Sequence, residues 1–532
     1  MPTPETNPTS TESTTEATTE ATTGHLTDPT RPAGSTRRTL AFVLAVAVAV
    51  GAALAVFVGP NPRLGHGAER QTGDPALIAQ VESLVGDGRG LSALSAARVE
   101  AGEAPEGTAR YAGFGDVGGD PRAAGDPPTS DTPFELGSIT KVFTGMLLAD
   151  AVERGEAALT DPLSQHLPEL AGTPAGGVTL EALAMHTSGL PRLPADMTGL
   201  AGLGSSFAPG NPYEGWTTEG VIDAAATATL TQGGQEEYSN FGTALLGDAL
   251  ARAAGSGSYA ELLTNRLLTP LGMESTTIVP AAGAEPAGLA TPRTVNGRVM
   301  APWTGAAFAW AGTSTRTTAA DLTKLASALL DGSAPGADSM TPRPGPDGTA
   351  TGGLGWAISE RDGRTITWHN GGTGGTHTIL ALDRDAGRAG IALATTDDRL
   401  VDSLGMALAT DAGDVPGPGL GPLGLVSLIV APITLLVLLV RLLRPRQRTR
   451  IGLATASIDA LIGLVLVLVA GPWAAVPAWA LGALAGGLGG AIVCAGLLAA
   501  RSPNLPEKGR ISAFVSLAIS LILLVALAWV LW

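Results

Sequence analysis

One cysteine, Cys494, in 532 residues rules out a disulfide framework, a CxxC redox pair and a cysteine-rich zinc site. The six histidines are scattered without metal-ligand spacing, so neither a metal nor another cofactor is expected. Basic residues number 32 against 48 acidic ones. The resulting net charge of −16 argues against nucleic acid as a partner, because that binding needs phosphate neutralisation. Lysine is scarcer still: Lys141, Lys324 and Lys508 are the only three, leaving 32 − 3 = 29 arginines. Arginine stays protonated in proteins whereas a desolvated lysine gives up its proton, so a chain that otherwise writes arginine keeps lysine where chemistry needs it. Tyrosine occurs four times. Only 15% of residues are charged while 45% are hydrophobic, and the two are unevenly spread. A membrane part therefore has to be separated from a soluble one.

Residues 1–38 are rich in Thr, Glu and Pro, repeat TTEA at Thr14 and Thr18, and read as a disordered cytoplasmic tail. Arg37 and Arg38 precede residues 39–58, an uncharged stretch long enough to cross a bilayer, which reads as a transmembrane anchor or a signal peptide. Ala53 and Ala55 form an A-x-A-like cleavage site, but the long preamble favours an uncleaved anchor. A linker (59–74), a soluble domain (75–412) and a second linker (413–419) follow. Residues 420–532 then hold four apolar stretches, an all-α bundle of four spans: about 420–440, 451–470, 474–500 and 511–532. Arg441, Arg444, Arg446, Arg448 and Arg450 lie between the first two stretches, and Arg501, Lys508 and Arg510 between the last two. By the positive-inside rule these loops and the N-terminal tail are cytoplasmic. Five spans then make a multi-pass protein of the cell membrane with an extracytoplasmic domain. Residues 59–415 carry 21 basic and 41 acidic residues, 21 − 41 = −20, so the acidity belongs to that domain. The lipid bilayer is thus one partner. Gly482, Gly486 and Gly490, four apart, line a helix face that lets a neighbouring helix approach. Asp459, the one carboxylate in these spans, sits near a span end where Arg448 or Arg450 can pair with it.

In the soluble part, Pro75–Val85, Ser138–Arg154, Leu180–His186, Thr243–Ala254 and Ala319–Leu330 read as helices. Thr365–Trp368, Thr378–Leu382 and Ile391–Thr395 read as strands, with hairpin turns at Asp362-Gly363 and Asp385-Ala386-Gly387. The fold class is α/β (α+β): an antiparallel sheet in the C-terminal part, flanked by helices, with a helical subdomain.

Three pieces carry chemistry. Ser138 and Lys141, three apart at a helix start, share one face; the positive helix end and burial both disfavour an ammonium, so a neutral Lys141 can take the proton of Ser138. Tyr238-Ser239-Asn240 precedes another helix. A tyrosine beside cations acts as a phenolate or relays a proton, and an asparagine amide holds a substrate carbonyl. The plainer alternative is a capping segment, with Asn240 as N-cap and Tyr238 as packing. Trp368-His369-Asn370-Gly371-Gly372-Thr373-Gly374-Gly375 ends one strand and precedes the next. Glycines there mark close approach of a ligand, and a free N–H donates to an oxyanion.

Together and in this order, over about Pro75 to Gly405, the pieces resemble the serine β-lactamase and penicillin-recognising hydrolase superfamily, in its class C, esterase and D-aminopeptidase branch. The blocks Leu183–Pro191 (LAMHTSGLP), Pro270–Met273 (PLGM) and Ser314–Leu322 (STRTTAADL) resemble it too. The resemblance implies Ser138 as acylated nucleophile, Lys141 as its proton partner, Tyr238 as proton relay and Asn240 as orienter of the substrate amide. It implies an oxyanion hole from the N–H groups of Ser138 and Gly372, next to Gly371. It puts His369 where β-lactamases and DD-peptidases usually have the lysine of K-T-G. A lysine there binds a substrate carboxylate, whereas histidine is mostly neutral near pH 7. The departure points away from efficient β-lactam hydrolysis and toward the esterase or peptidase branch, where H-x-G is common.

The expected function is thus a membrane-anchored extracytoplasmic serine hydrolase, acting through an acyl-enzyme on a small-molecule or cell-envelope peptide or ester such as a D-amino-acid amide. One alternative is a catalytically weak penicillin-binding-like binding or sensor protein, against which the intact Ser138, Lys141, Tyr238 and Asn240 argue. A true class C β-lactamase is a further one. A transporter built on the spans ranks last, since they are nearly free of charge.

Overall fold

The computed structural model describes every residue except 1–33, 61, 66, 103–107, 120–125, 199–209, 232–234, 345–349, 362, 445–447, 503–504, 506–510 and 532. The tail read as disordered over 1–38 lies, as far as residue 33, outside the described residues.

After helix α1 (Gly34–Phe57) the chain forms strand β1 (Gln71–Gly73) and helix α2 (Pro75–Val85). Proline opens α2, and the Asp74 carboxylate accepts from Leu77 N at 2.8 Å, so the first turn is capped. Strands β2 (Ala93–Glu100), β3 (Thr108–Gly115) and β4 (Phe134–Glu135) follow, then helices α3 (Thr140–Glu153), α4 (Leu180–Ala184) and α5 (Asn240–Ala253). Beyond β5 (Thr277–Ile278), β6 (Thr315–Thr317) and α6 (Ala319–Leu330) come six strands: β7 (Arg343–Pro344), β8 (Ala350–Gly353), β9 (Trp356–Arg361), β10 (Arg364–Gly372), β11 (His377–Asp383) and β12 (Arg388–Ala394). Helix α7 (Leu400–Thr410) closes the soluble part.

The main sheet is antiparallel, in the order β1-β3-β2-β12-β11-β10-β9-β8-β7, and β4, β6 and β5 form a small second sheet. Side-chain alternation sorts its residues onto two cores. Ala93, Ala97 and Val99 of β2 and Leu380 and Leu382 of β11 join α3, α5 and α6; Leu94, Ala96, Ile379 and Ala381 join α2 and α7. The sheet is thus sandwiched between helices.

The antiparallel sheet expected in the C-terminal part is present, yet it extends further. Strands β2 and β3 join it through β12, although nothing in the sequence announced them. Strand β2 is Ala-rich and buried over seven of its eight residues, which erases the alternation that marks a half-exposed strand. The run expected over 365–368 is the middle of a longer strand that carries His369, Gly371 and Gly372 within it, Gly372 opposite His377.

Among the described residues, four helices are long and apolar enough to cross a membrane: Arg38–Phe57 of α1, then α8 (Gly421–Leu443), α9 (Arg450–Ala470) and α10 (Ala478–Arg501). A further helix, α11 (Ile511–Leu531), is apolar over Phe514–Leu524. The glycine stripe of α10 meets α1: a Cβ on Gly486 would collide with the Ala47 carbonyl, and one on Gly482 with Gly51 and Ala55. Ser520 Oγ of α11 donates to Asp459 Oδ1 at 2.6 Å, a helix-to-helix partner not foreseen from the sequence.

Candidate active site

Ser138 stands on the 3-10 turn Gly137–Ile139 that leads into α3. One turn on, Lys141 Nζ lies 3.0 Å from Ser138 Oγ and donates to the Ala311 carbonyl at 2.7 Å. Lys141 is only 1% exposed. Burial, and then the nearby Arg192 cation, hold its pKa well below the ordinary lysine value, toward a neutral amine.

The Tyr238 hydroxyl interacts with the Ser138 side chain, and its ring centroid lies 4.8 Å from Lys141 Nζ and 5.1 Å from Arg192 Cζ. Burial nevertheless pushes this phenol up to about 12, against the pull of Ser138 and Arg192. The two groups are driven apart, which favours a neutral amine at Lys141 and a phenol at Tyr238. A phenol raised in this way favours the relay reading of Tyr238 over the phenolate one.

Three glycines make room for an oxyanion site. Gly137 has φ 64°, and a Cβ on it would lie 2.6 Å from Gly372 N. Gly312 has φ 109°, and a Cβ on it would lie 2.8 Å from Ser138 N. Gly371 lets β10 pass against the Leu136 carbonyl, which accepts from Thr378 Oγ1 at 2.7 Å. Any side chain at these places would push apart the two N–H groups expected to face a developing oxyanion.

His369 is buried, its ring centroid 6.4 Å from that of Tyr238 and its Nδ1 2.6 Å from the Asn370 carbonyl. Burial and then Lys141 push its pKa down to about 4, so the imidazole is neutral at pH 7. Asn240 lies in the first turn of α5, but the cap is Ser239, whose Oγ accepts from Gly242 N at 2.8 Å. That corrects the reading of Asn240 as N-cap. Asn240 Nδ2 donates to the Tyr213 hydroxyl at 3.0 Å, while its Oδ1 is buried with no partner among the described residues. An amide oxygen left in that state suits a substrate N–H.

Sequence reasoning missed several contributors. His186 has φ 58°; its Nδ1 accepts from Ser239 N at 3.2 Å and its ring packs 4.5 Å from that of Tyr238. The block LAMHTSGLP was its only signal. Glu135 is buried beneath the site and accepts from Trp303 N (2.7 Å), Thr373 Oγ1 (2.8 Å) and Thr376 Oγ1 (3.2 Å), pinning the loop after Gly372. Asp402 holds the reverse of β10, accepting from Asn370 Nδ2 at 2.8 Å and lying 2.8 Å from His377 Nε2. A cleft of about 170 Å³ opens beside these groups, lined by Met185, His186, Glu236, Trp356, Trp368 and His369 among others. No cluster able to hold a metal ion occurs among the described residues.

A family model described as Beta-lactamase matches residues 43–412, more than half of the chain. The chain belongs to the beta-lactamase family. Within that family of hydrolases it is 34% identical over 160 residues to the D-alanyl-D-alanine-carboxypeptidase/endopeptidase AmpH of Escherichia coli K12, covering 29% of this chain and 39% of that protein. It is 34% identical over 173 residues to a beta-lactamase of the same organism, covering 32% and 40%. The chain therefore spans about two fifths of the length of these relatives. A class C beta lactamase structure from Rhodobacter sphaeroides aligns with a TM-score of 0.49 at 21% identity, over 64% of this chain and 98% of that one.

Proposed function

We propose that the protein is a membrane-anchored, extracytoplasmic serine hydrolase that forms an acyl-enzyme on an ester or amide, with the multi-pass topology read from the arginine distribution. The observation that carries the proposal is Lys141 Nζ, 3.0 Å from Ser138 Oγ and buried so that its neutral form is favoured. In acylation, Ser138 Oγ attacks the substrate carbonyl carbon and its proton passes to the Lys141 amine. The N–H groups of Ser138 and Gly372 receive the oxyanion, and the Tyr238 hydroxyl passes its proton to the leaving oxygen or nitrogen as the tetrahedral centre collapses, regaining one from the Lys141 ammonium. Water then attacks the acyl carbon, with the same groups returning the proton to Ser138. Asn240 Oδ1 accepts from a substrate amide.

Relatives named as a D-alanyl-D-alanine carboxypeptidase and as beta-lactamases point to amide substrates bearing a carboxylate. The neutral His369 supplies no fixed charge for such a group, which favours uncharged esters and amides such as D-amino-acid derivatives. Packing of the glycine stripe against α1 supports retention of that helix, since cleavage at Ala55 would strip the stripe of its partner.

The test uses full-length protein with p-nitrophenyl esters, D-amino-acid amides and a chromogenic cephalosporin. Turnover of the first two classes, with fluorophosphonate labelling abolished by Ser138→Ala, is expected. Absence of both labelling and turnover would leave a binding protein instead.

A further inference from the structure

The soluble domain is docked onto one end of the helical bundle through a hairpin that also supports the oxyanion loop. This hairpin pairs Arg293 with Val299, is closed by Thr294 N donating to the Arg298 carbonyl at 2.9 Å, and turns at Gly297 with φ 82°. At its base Arg293 N donates to the Gly375 carbonyl at 2.8 Å, and a Cβ on Gly374 would lie 3.0 Å from Trp303 Nε1 and 3.3 Å from Met300 Cε. At its tip Asn296 Oδ1 accepts from Ala474 N, in the loop between α9 and α10, at 3.3 Å.

Both connections to the bundle are fastened at the same place. Gly90 N donates to the Pro62 carbonyl at 2.9 Å, holding the segment that follows α1. Gly419 N donates to Asp398 Oδ2 at 2.9 Å, and Val295 N to Asp397 Oδ1 at 2.6 Å. A Cβ on Gly90 would lie 2.8 Å from Val295, 3.1 Å from Pro418 and 3.6 Å from Ala474, so four segments converge on that glycine. With both tethers pinned, the domain is held at a set height rather than swinging free.

That height is small. Arg293 to Asn296 spans three residues, about 10 Å at ~3.3 Å per residue. The polar layer on each side of a bilayer core is of similar size, roughly 5–8 Å. The loop after Gly372 is therefore about one hairpin length from the α9–α10 loop, which the topology proposed above puts at the outer lipid headgroups. From the site toward the tip, Tyr213, which receives the Asn240 amide, packs 5.3 Å from Trp303, and Met300 and the 50%-exposed Val299 follow along the hairpin among Arg293, Thr294 and Arg298. A freely diffusing substrate needs neither the fixed height nor this row of side chains.

From this placement we infer that the ester or amide cleaved by Ser138 is carried on a lipid-anchored molecule and reaches the site from the bilayer surface, past Val299, Met300 and Trp303. The inference rests on the hydrolase reading above and adds the substrate class to it.

The test places full-length protein in phosphatidylcholine nanodiscs with a fluorogenic ester on a phosphatidylethanolamine headgroup, or the same ester on glycerophosphoethanolamine without acyl chains. The lipid-borne ester should give a kcat/KM at least about tenfold higher. Co-localisation alone is separated by inserting flexible Gly-Ser linkers of about 20 residues after Pro60 and after Gly417, which keep the domain tethered but free its height. This form should lose most of the lipid preference, as should Val299→Glu, with turnover of the soluble ester unchanged. Equal rates on the two esters in wild type, or an undiminished preference in the linker form, would overturn the inference while leaving the hydrolase reading intact. No turnover of either ester together with no labelling of Ser138 would overturn both.

Discussion

The imidazole of His186 and the phenol of Tyr238 pack with ring centroids 4.5 Å apart and planes at 41°. His186 takes a left-handed backbone, φ 58°, to reach this position, a conformation that costs a non-glycine residue about 1 kcal/mol or more. Its Nδ1 accepts from Ser239 N, and burial pushes its pKa well down, so the ring is neutral with its proton on Nε2. His186 thereby braces both the relay tyrosine and the start of α5.

His186→Asn, which tolerates the left-handed backbone, should fold normally yet lose roughly 10- to 100-fold in kcat/KM, because Tyr238 loses one wall and small misplacements of reacting groups are costly. His186→Ala should also lower the melting temperature. Steady-state kinetics with thermal unfolding distinguish the two effects. Full activity in His186→Asn would make the contact mere packing.

Lys141 gives a prediction in which activity and stability move oppositely. Lys141→Arg should fold but lose several orders of magnitude in acylation, since arginine stays protonated. Because burial lowers the lysine pKa, the unfolded chain binds the extra proton. Stability of the wild type therefore rises with pH from the lowered folded value to the ordinary lysine value near ~10.4, and falls as pH drops through that window. Lys141→Met should raise the melting temperature at neutral pH, flatten that dependence and abolish acylation. Near wild-type turnover in either variant would sink the assignment of Lys141 as base.

Much of this site was legible because its parts lie in short strings: serine and lysine one helical turn apart, tyrosine and asparagine two apart at a helix start, and histidine and glycines on one strand. Each string fixes its own local geometry. Arg192, Glu135 and the Ala311 carbonyl were not legible, since they act only after distant segments meet: 170 residues separate Lys141 from the carbonyl it touches. The plainer alternative for Asn240, a cap, fails because Ser239 and Asn240 are both good N-caps and the sequence does not say which begins the helix. The N-terminal strands failed for a different reason, as two-sided burial leaves no polar face to count.

The glycine stripe of α10 makes a prediction for the membrane part. Gly486→Leu should separate α1 from α10, because the Ala47 backbone cannot move aside as a flexible side-chain end can. A cysteine introduced at Leu40 should crosslink to native Cys494, whose Sγ lies 3.5 Å from the Leu40 carbonyl, in the parent and fail to do so with Gly486→Leu, at a stability cost of about 1–3 kcal/mol. Crosslinking in both would show that the stripe is not needed for packing.

Topology follows from arginine placement. Ser10→Cys and Gln447→Cys should resist an impermeant thiol reagent in intact cells, while Ser333→Cys, on the exposed turn after α6, should react. Labelling at position 447 but not at 333 would invert the orientation.

The sharpest test of substrate class is His369→Lys. The imidazole is neutral at pH 7, so position 369 offers a substrate carboxylate no fixed cation of its own. Lysine would restore one, and a charge-assisted hydrogen bond contributes about 1.5–3 kcal/mol where geometry permits. That corresponds to about one to two decades in kcat/KM for a penicillin relative to an uncharged ester, at ~1.36 kcal/mol per decade. A second ammonium near Lys141 would also depress the Lys141 pKa further, which keeps the base neutral and leaves the ester reaction available. The measurement is the ratio of kcat/KM for a cephalosporin to that for a neutral ester in wild type and variant. An increase in that ratio identifies position 369 as the charge selector. If the ratio is unchanged while both rates fall, His369 acts only by packing beside Tyr238, and the argument against carboxylate-bearing substrates loses its support.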